Sequence, residues 1–151
     1  MRALVTLALF FISVQMNAQE DEALVETTIE NFFNAFHRQD SVGIKKTVSD
    51  DIVLQTIAKD NEGAPVVKTQ PFNEFLKSII SIPKSTQFEE VITNFHIQID
   101  GPMANAWTDY EFNLDGSFHH CGVNSFQLVK DAKKGWQIIY LIDTRRVEGC
   151  K

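Results

Sequence analysis

The feature that most constrains this chain is a change of hydrophobic period at Phe88. Downstream, apolar residues alternate along "FEEVITNFHIQI", "ANAWTDYEFNL", "SFHHCGVNSFQLVK" and "GWQIIYLIDTRR", which "DGPM", "DG" and "DAKK" separate. Period two with turn residues at hairpin distance predicts four long antiparallel strands in a meander. Such a sheet needs a cover for its apolar face, and only the segments upstream of Phe88 can supply one.

Those upstream segments read as helices and a short strand pair. "EDEALVETTIENFFNAFHRQD" places Val25, Ile29, Phe32 and Phe36 at helical spacing, with Phe33 beside them. Acids at its start and His37-Arg38 at its end suit the helix dipole. Ser41 is placed to cap a short second helix, "SVGIKKTVS". "DIVLQTI" and "APVVKT" follow as strands. Pro71 opens a third helix with Phe72, Phe75, Leu76 and Ile79 on one stripe, and Pro83 stops it. Helices first and sheet after predicts an α+β fold, with about three helices packed on one face of a strongly curved, mainly antiparallel sheet.

Residues 1–18, "MRALVTLALFFISVQMNA", have the layout of a secretory signal peptide: one cation, an apolar run from Ala3 to Val14, and a polar end closing on Ala18. The expected product is a single domain over 19–151, secreted or periplasmic, with no membrane span. The net charge is −6 with no basic run, which argues against nucleic-acid binding. Both cysteines, Cys121 and Cys150, lie beyond the leader, and in an oxidising compartment they are candidate disulfide partners.

The stretch "SFHHCGVNSF" (117–126) invites a metal reading. Strand alternation argues against it by sending neighbours to opposite faces. His120 goes with Phe118, Gly122, Asn124, Phe126 and Leu128; His119 goes with Cys121, Val123, Ser125 and Gln127. His119 and Cys121 could offer two ligands, and His37 or His96 a third, but no spacing assembles them, so no metal and no cofactor are expected. In the preceding strand, a bulge at Gly116 or Ser117 would bring Tyr110 and Phe112, rather than Asp109 and Glu111, onto the face of His120. That choice avoids burying carboxylates. In the last strand, Trp136, Ile138, Tyr140 and Ile142 read as inward, with Asp143 and Arg145 outward as a salt bridge or tail anchor. Ile139 and Leu141, with Trp107 and Val123, would form an apolar outer face suited to a homodimer contact.

The element order, together with "HCGVNSFQLVKDAKKGWQII" and "DTRR", resembles the nuclear transport factor 2-like superfamily, and within it a bacterial branch labelled lumazine-binding. The resemblance covers nearly all of the chain after the leader. It implies a cone-shaped fold with an internal pocket, on a scaffold that hosts ketosteroid isomerases, polyketide cyclases and dehydratases. Carried over residue by residue, the isomerase oxyanion-hole tyrosine falls on Phe32. The general-base aspartate falls near Thr56, and the second oxyanion donor on Asn124. Only Asn124 can still donate, so steroid-type isomerisation is disfavoured.

The expected pocket lining is Phe32, Phe36, Tyr110, Phe112, His120, Asn124, Phe126, Tyr140, Ile142 and Thr144, an aromatic set with a few polar groups. Gly-rich phosphate loops, His-Glu-x-x-His and Gly-x-Ser-x-Gly are absent from the sequence. The reading these residues favour is a secreted, non-catalytic domain that binds a small apolar or aromatic ligand. Alternatives are a lyase, isomerase or hydrolase using His120 with Asn124, and an interaction module using the outer sheet.

Overall fold

A computed structural model describes residues 2–150, and side chains from residue 19 onward. The first helix, α1 (Arg2–His37), is followed by α2 (Ser41–Thr47), β1 (Val48–Lys59), β2 (Pro65–Gln70) and α3 (Phe72–Ser81). The meander then runs through β3 (Phe88–Asp100), β4 (Met103–Leu114), β5 (Ser117–Asp131) and β6 (Gly135–Arg146). The leader expected over 1–18 lies outside the residues whose side chains are described. Among the described residues, no helix is long and apolar enough to cross a membrane.

The six strands form one sheet in the order β2-β1-β6-β5-β4-β3. All neighbours are antiparallel except β1 and β6, which pair in parallel. The sheet is mixed and open, and its helices pack on one face. From α1, Val25, Ile29 and Phe32 are fully or almost fully buried against Ala106, Phe126 and Ile138 of the sheet. Asp21 holds the helix to the sheet by accepting hydrogen bonds from Lys130 Nζ and, at 3.2 Å, from Trp136 Nε1.

Local chemistry accounts for the joints. Gln39 has a positive φ of 56° and ends the first helix, and Asp40, not Ser41, caps α2. Its Oδ1 accepts from the backbone N–H of Val42 (3.1 Å) and Gly43 (2.9 Å). The turn between β4 and β5 is a two-residue loop. Asp115 and Gly116 both have positive φ, 49° and 76°, which matches the right-handed twist of the flanking strands.

One bulge in β5 and one in β6 decide which side chains of those strands face inward. In the β4–β5 ladder Phe112 faces His120 and Asn113 faces Phe118, so His119 is the extra residue. Tyr110 and Phe112 therefore share a face with Gly122 and His120, but the bulge sits at His119 rather than at Gly116 or Ser117. It also corrects the expected separation of the histidines. Their Nδ1 atoms lie 2.9 Å apart, while Phe118 moves to the other face and is half exposed. In the β5–β6 ladder Gln127 faces Tyr140 and Leu128 faces Ile138, leaving Ile139 unpaired. Beyond it the faces exchange. Leu141, Asp143 and Arg145 point inward with Phe126, Asn124 and Gly122, whereas Tyr140, Ile142 and Thr144 point outward. The sequence expectation for these six residues is reversed because simple alternation takes no account of the extra residue at Ile139.

Candidate functional site

Between the helices and the concave sheet face lies a cavity of about 330 Å³. Its helical wall is aromatic. Phe32 stacks on Phe75 at 6.4 Å between ring centroids, and Phe36 stacks on the same Phe75 at 6.1 Å. Phe33 and Leu54 extend this wall, and Leu141 continues it across the sheet.

The sheet wall is polar, and strand register explains why. Lys68 is paired with Thr56, Thr56 with Asp143, and Asp143 with Asn124. Paired residues share a face, so these four side chains form one row across β2, β1, β6 and β5. Arg145 lies one step further along the same face, and its Nε donates to Asp143 Oδ2 at 2.9 Å. Glu90 reaches in from β3, where its Oε1 accepts from Asn124 Nδ2 at 2.7 Å. The backbone N–H of Glu90 donates to His37 Nε2 at 2.9 Å, tying β3 to the end of α1.

This arrangement sets the electrostatics. Glu90 as a residue keeps some solvent contact, but burial of its carboxyl lifts the pKa from 4.5 to about 7. The bond from Asn124 and the positive charge of Arg145 pull the other way; the charge of Asp143 adds to the rise. Glu90 therefore exchanges a proton near neutral pH, as a group used for acid–base work or for donating a hydrogen bond from a neutral carboxyl must. Burial, the largest cause, lowers the pKa of His37 and likewise that of His120, so their neutral forms are favoured. Burial also raises that of Tyr110, with the charges of Glu90 and Asp143 adding to the rise.

Of the expected lining residues, Phe32, Phe36 and Asn124 border this cavity. Phe126 is fully buried in the core, packed edge-on against Phe33. Tyr110 lies over Gly122 and donates its hydroxyl to the Thr144 carbonyl at 2.9 Å. Phe112 and His120 stack on each other at 4.7 Å, beside the cavity rather than on its wall. Tyr140 and Thr144 are on the opposite face, where Tyr140 Oη donates to Gln55 Oε1 at 2.6 Å. Cys121 and Cys150 are joined in a disulfide that fastens the C-terminal tail to β5. Among the described residues, no group of three or more His, Cys, Asp or Glu side chains is arranged to hold a metal ion.

Sequence reasoning missed Glu90, Asp143, Arg145, Lys68 and the pocket position of Thr56 as binding candidates. One signal was available: Glu90 lies between Phe88 and Ile92 on the apolar face of its strand, where an acid is costly without a purpose. Asp143 and Arg145 were concealed by the bulge at Ile139. Lys68 and Thr56 enter the row only through a parallel pairing between strands far apart in sequence.

No protein-family model and no curated protein matches the sequence. Solved structures do. A nuclear transport factor 2-like protein of unknown function from Shewanella baltica superposes with a TM-score of 0.61 at 14% identity, over 84% of this chain and 94% of that one. A candidate dehydratase of the same fold family from Streptomyces avermitilis gives 0.65 at 17% identity, over 86% and 99%. A member of that superfamily from Salmonella enterica gives 0.65 at 14% identity, over 89% and 96%. At these identities the likeness is one of fold: the chain has the nuclear transport factor 2-like fold.

Proposed function

We propose that this protein is an exported small-molecule-binding domain that holds a flat, partly apolar ligand in its cone cavity. The observation that carries the reading is the two-sided wall, with stacked Phe32, Phe36 and Phe75 facing the polar row Lys68, Thr56, Asp143 and Asn124. An apolar body can lie against the rings while its polar edge meets the row, the usual division of labour in small-ligand sites. Export is supported by the leader-like first 18 residues and by the disulfide, which an oxidising compartment preserves. Flat heterocycles, including the pteridine that the lumazine-binding resemblance implies, belong in the first ligand screen. Native mass spectrometry and thermal-shift screening test the reading. A retained small molecule or a saturable shift that Phe36→Ala and Asn124→Ala abolish supports it; no shift across a broad flat-ligand panel rejects it.

Glu90 favours a second reading, in which the bound molecule also reacts. A carboxyl that exchanges its proton near pH 7 beside an aromatic wall is equipped for general acid–base catalysis, such as the elimination of water suggested by the candidate dehydratase of this fold. Here Glu90, not His120, is the proton carrier. Turnover lost in Glu90→Gln but kept in His120→Ala is the expected pattern, and the opposite pattern rejects it.

A homodimer through the outer sheet face extends the proposal. Trp107 is 49% exposed and Met103 55%, with Val129 and Ile139 also exposed nearby. Light scattering should report a dimer that Trp107→Ser converts to monomer; a wild-type monomer at all concentrations removes this part.

A further inference from the structure

The cavity's charges point to the chemical class of its ligand, on the premise that the cone is a binding site. Two cations, Lys68 and Arg145, and two acids, Asp143 and Glu90, line it. Asp143 occupies only Nε of Arg145, and among the described residues the terminal guanidinium nitrogens make no hydrogen bond. Lys68 has no carboxylate within 4.0 Å among those residues. Of the acids, only Asp143 lies in contact with a cation.

We infer that the cavity is built for a small organic monoanion, a carboxylic acid on a flat or branched apolar body. Its body lies on Phe32, Phe36 and Phe75, and its carboxylate meets the free N–H groups of Arg145 and the ammonium of Lys68. A guanidinium already oriented by one carboxylate presents a planar pair of donors matched to a second. An ammonium ligand would suit the rings and Glu90, but it would have to approach two cations. A neutral ligand would leave Lys68 without a carboxylate partner and the terminal nitrogens of Arg145 without an acceptor.

The inference carries a signed proton linkage. Facing Glu90 are Asp143 and Arg145 from β6, Asn124 from β5, Tyr110 from β4 and His37 from α1, with Lys68 across the cavity on β2. Adding a negative charge to that set disfavours the ionised form of Glu90. Since its pKa is about 7, an anion takes up a fraction of a proton, at most about half, per molecule bound at pH 7. An ammonium ligand would release protons, and a neutral one would move few.

The test is isothermal titration calorimetry at pH 7 with phenylacetate, 4-phenylbutyrate and 2-naphthoate, each paired with its primary amide, in two buffers of different ionisation enthalpy. The expected result is at least one acid binding about tenfold or more tightly than its amide, with proton uptake read from the buffer dependence. Lys68→Met and Arg145→Gln should each weaken acid binding by more than they weaken amide binding, so that the preference shrinks. Asp143→Asn/Arg145→Gln, which removes the pair together, serves if Arg145→Gln alone fails to fold. Equal affinity for acid and amide overturns the anion inference and leaves the cavity reading standing. Tighter binding of phenethylamine with proton release also overturns it. No binding by acids, amides or amine overturns both.

Discussion

Glu90 is the carboxyl that burial moves furthest towards neutral pH among the described residues. Its pKa rises from 4.5 in the unfolded chain to about 7 in the fold, so the folded state binds the proton more tightly. The stabilisation is fully present below pH 4.5 and is lost as pH rises towards 7 and through it, amounting to about 3 kcal/mol. Urea titrations from pH 4.5 to 8 should show the wild type losing that much relative to Glu90→Gln. Parallel pH profiles for the two proteins would refute the assignment. Gly122 is the second residue with a sharp demand on it. A Cβ there would lie 1.9 Å from the Thr144 carbonyl oxygen and 2.6 Å from the Tyr110 ring. Gly122→Ala should cost about 3 kcal/mol through overpacking, measured as a fall in urea midpoint, whereas Gly116→Ala should act only through its positive φ.

At the scale of elements, the meander was legible because period two and turn residues are local signals. The ends of β3 to β6 fall within a residue or so of the alternating runs. The faces were less legible, because a bulge is one residue long and leaves no mark in composition. Asp143 and Arg145 were expected outside and lie within, while Tyr140 and Thr144 do the reverse, all on account of Ile139. Tyr140→Phe separates the two registers. On the outer face it loses only the bond to Gln55, for about 1 kcal/mol, and leaves ligand binding intact. Impaired binding with unchanged stability would restore the unbulged reading. The aromatic stripe of α1 was read correctly for the same reason the meander was. Helical spacing alone identifies Val25, Ile29 and Phe32, and all three are buried.

At the scale of the molecule, the open sheet is held by its helices on one face and by a covalent tie on the other. The disulfide spans 29 residues, from β5 to the tail just beyond β6. Cys150→Ser should lower stability by about 2–4 kcal/mol in urea. Ligand affinity should not change, since the bond lies on the face away from the cavity; a large loss of affinity would mean that the tail supports the pocket. What the sequence by itself determined is the α+β order of elements, the aromatic helix face and the boundaries of the four meander strands, all of which follow from periodicity and turn chemistry. What only the tertiary structure decided is the polar wall. Lys68, Thr56, Asp143, Asn124 and Glu90 come from five different strands, and the bulge at Ile139 and one parallel pairing bring them to a single face. Alternation along one strand cannot reveal a row that runs across strands, because its members are related by hydrogen-bond register rather than by spacing in the chain.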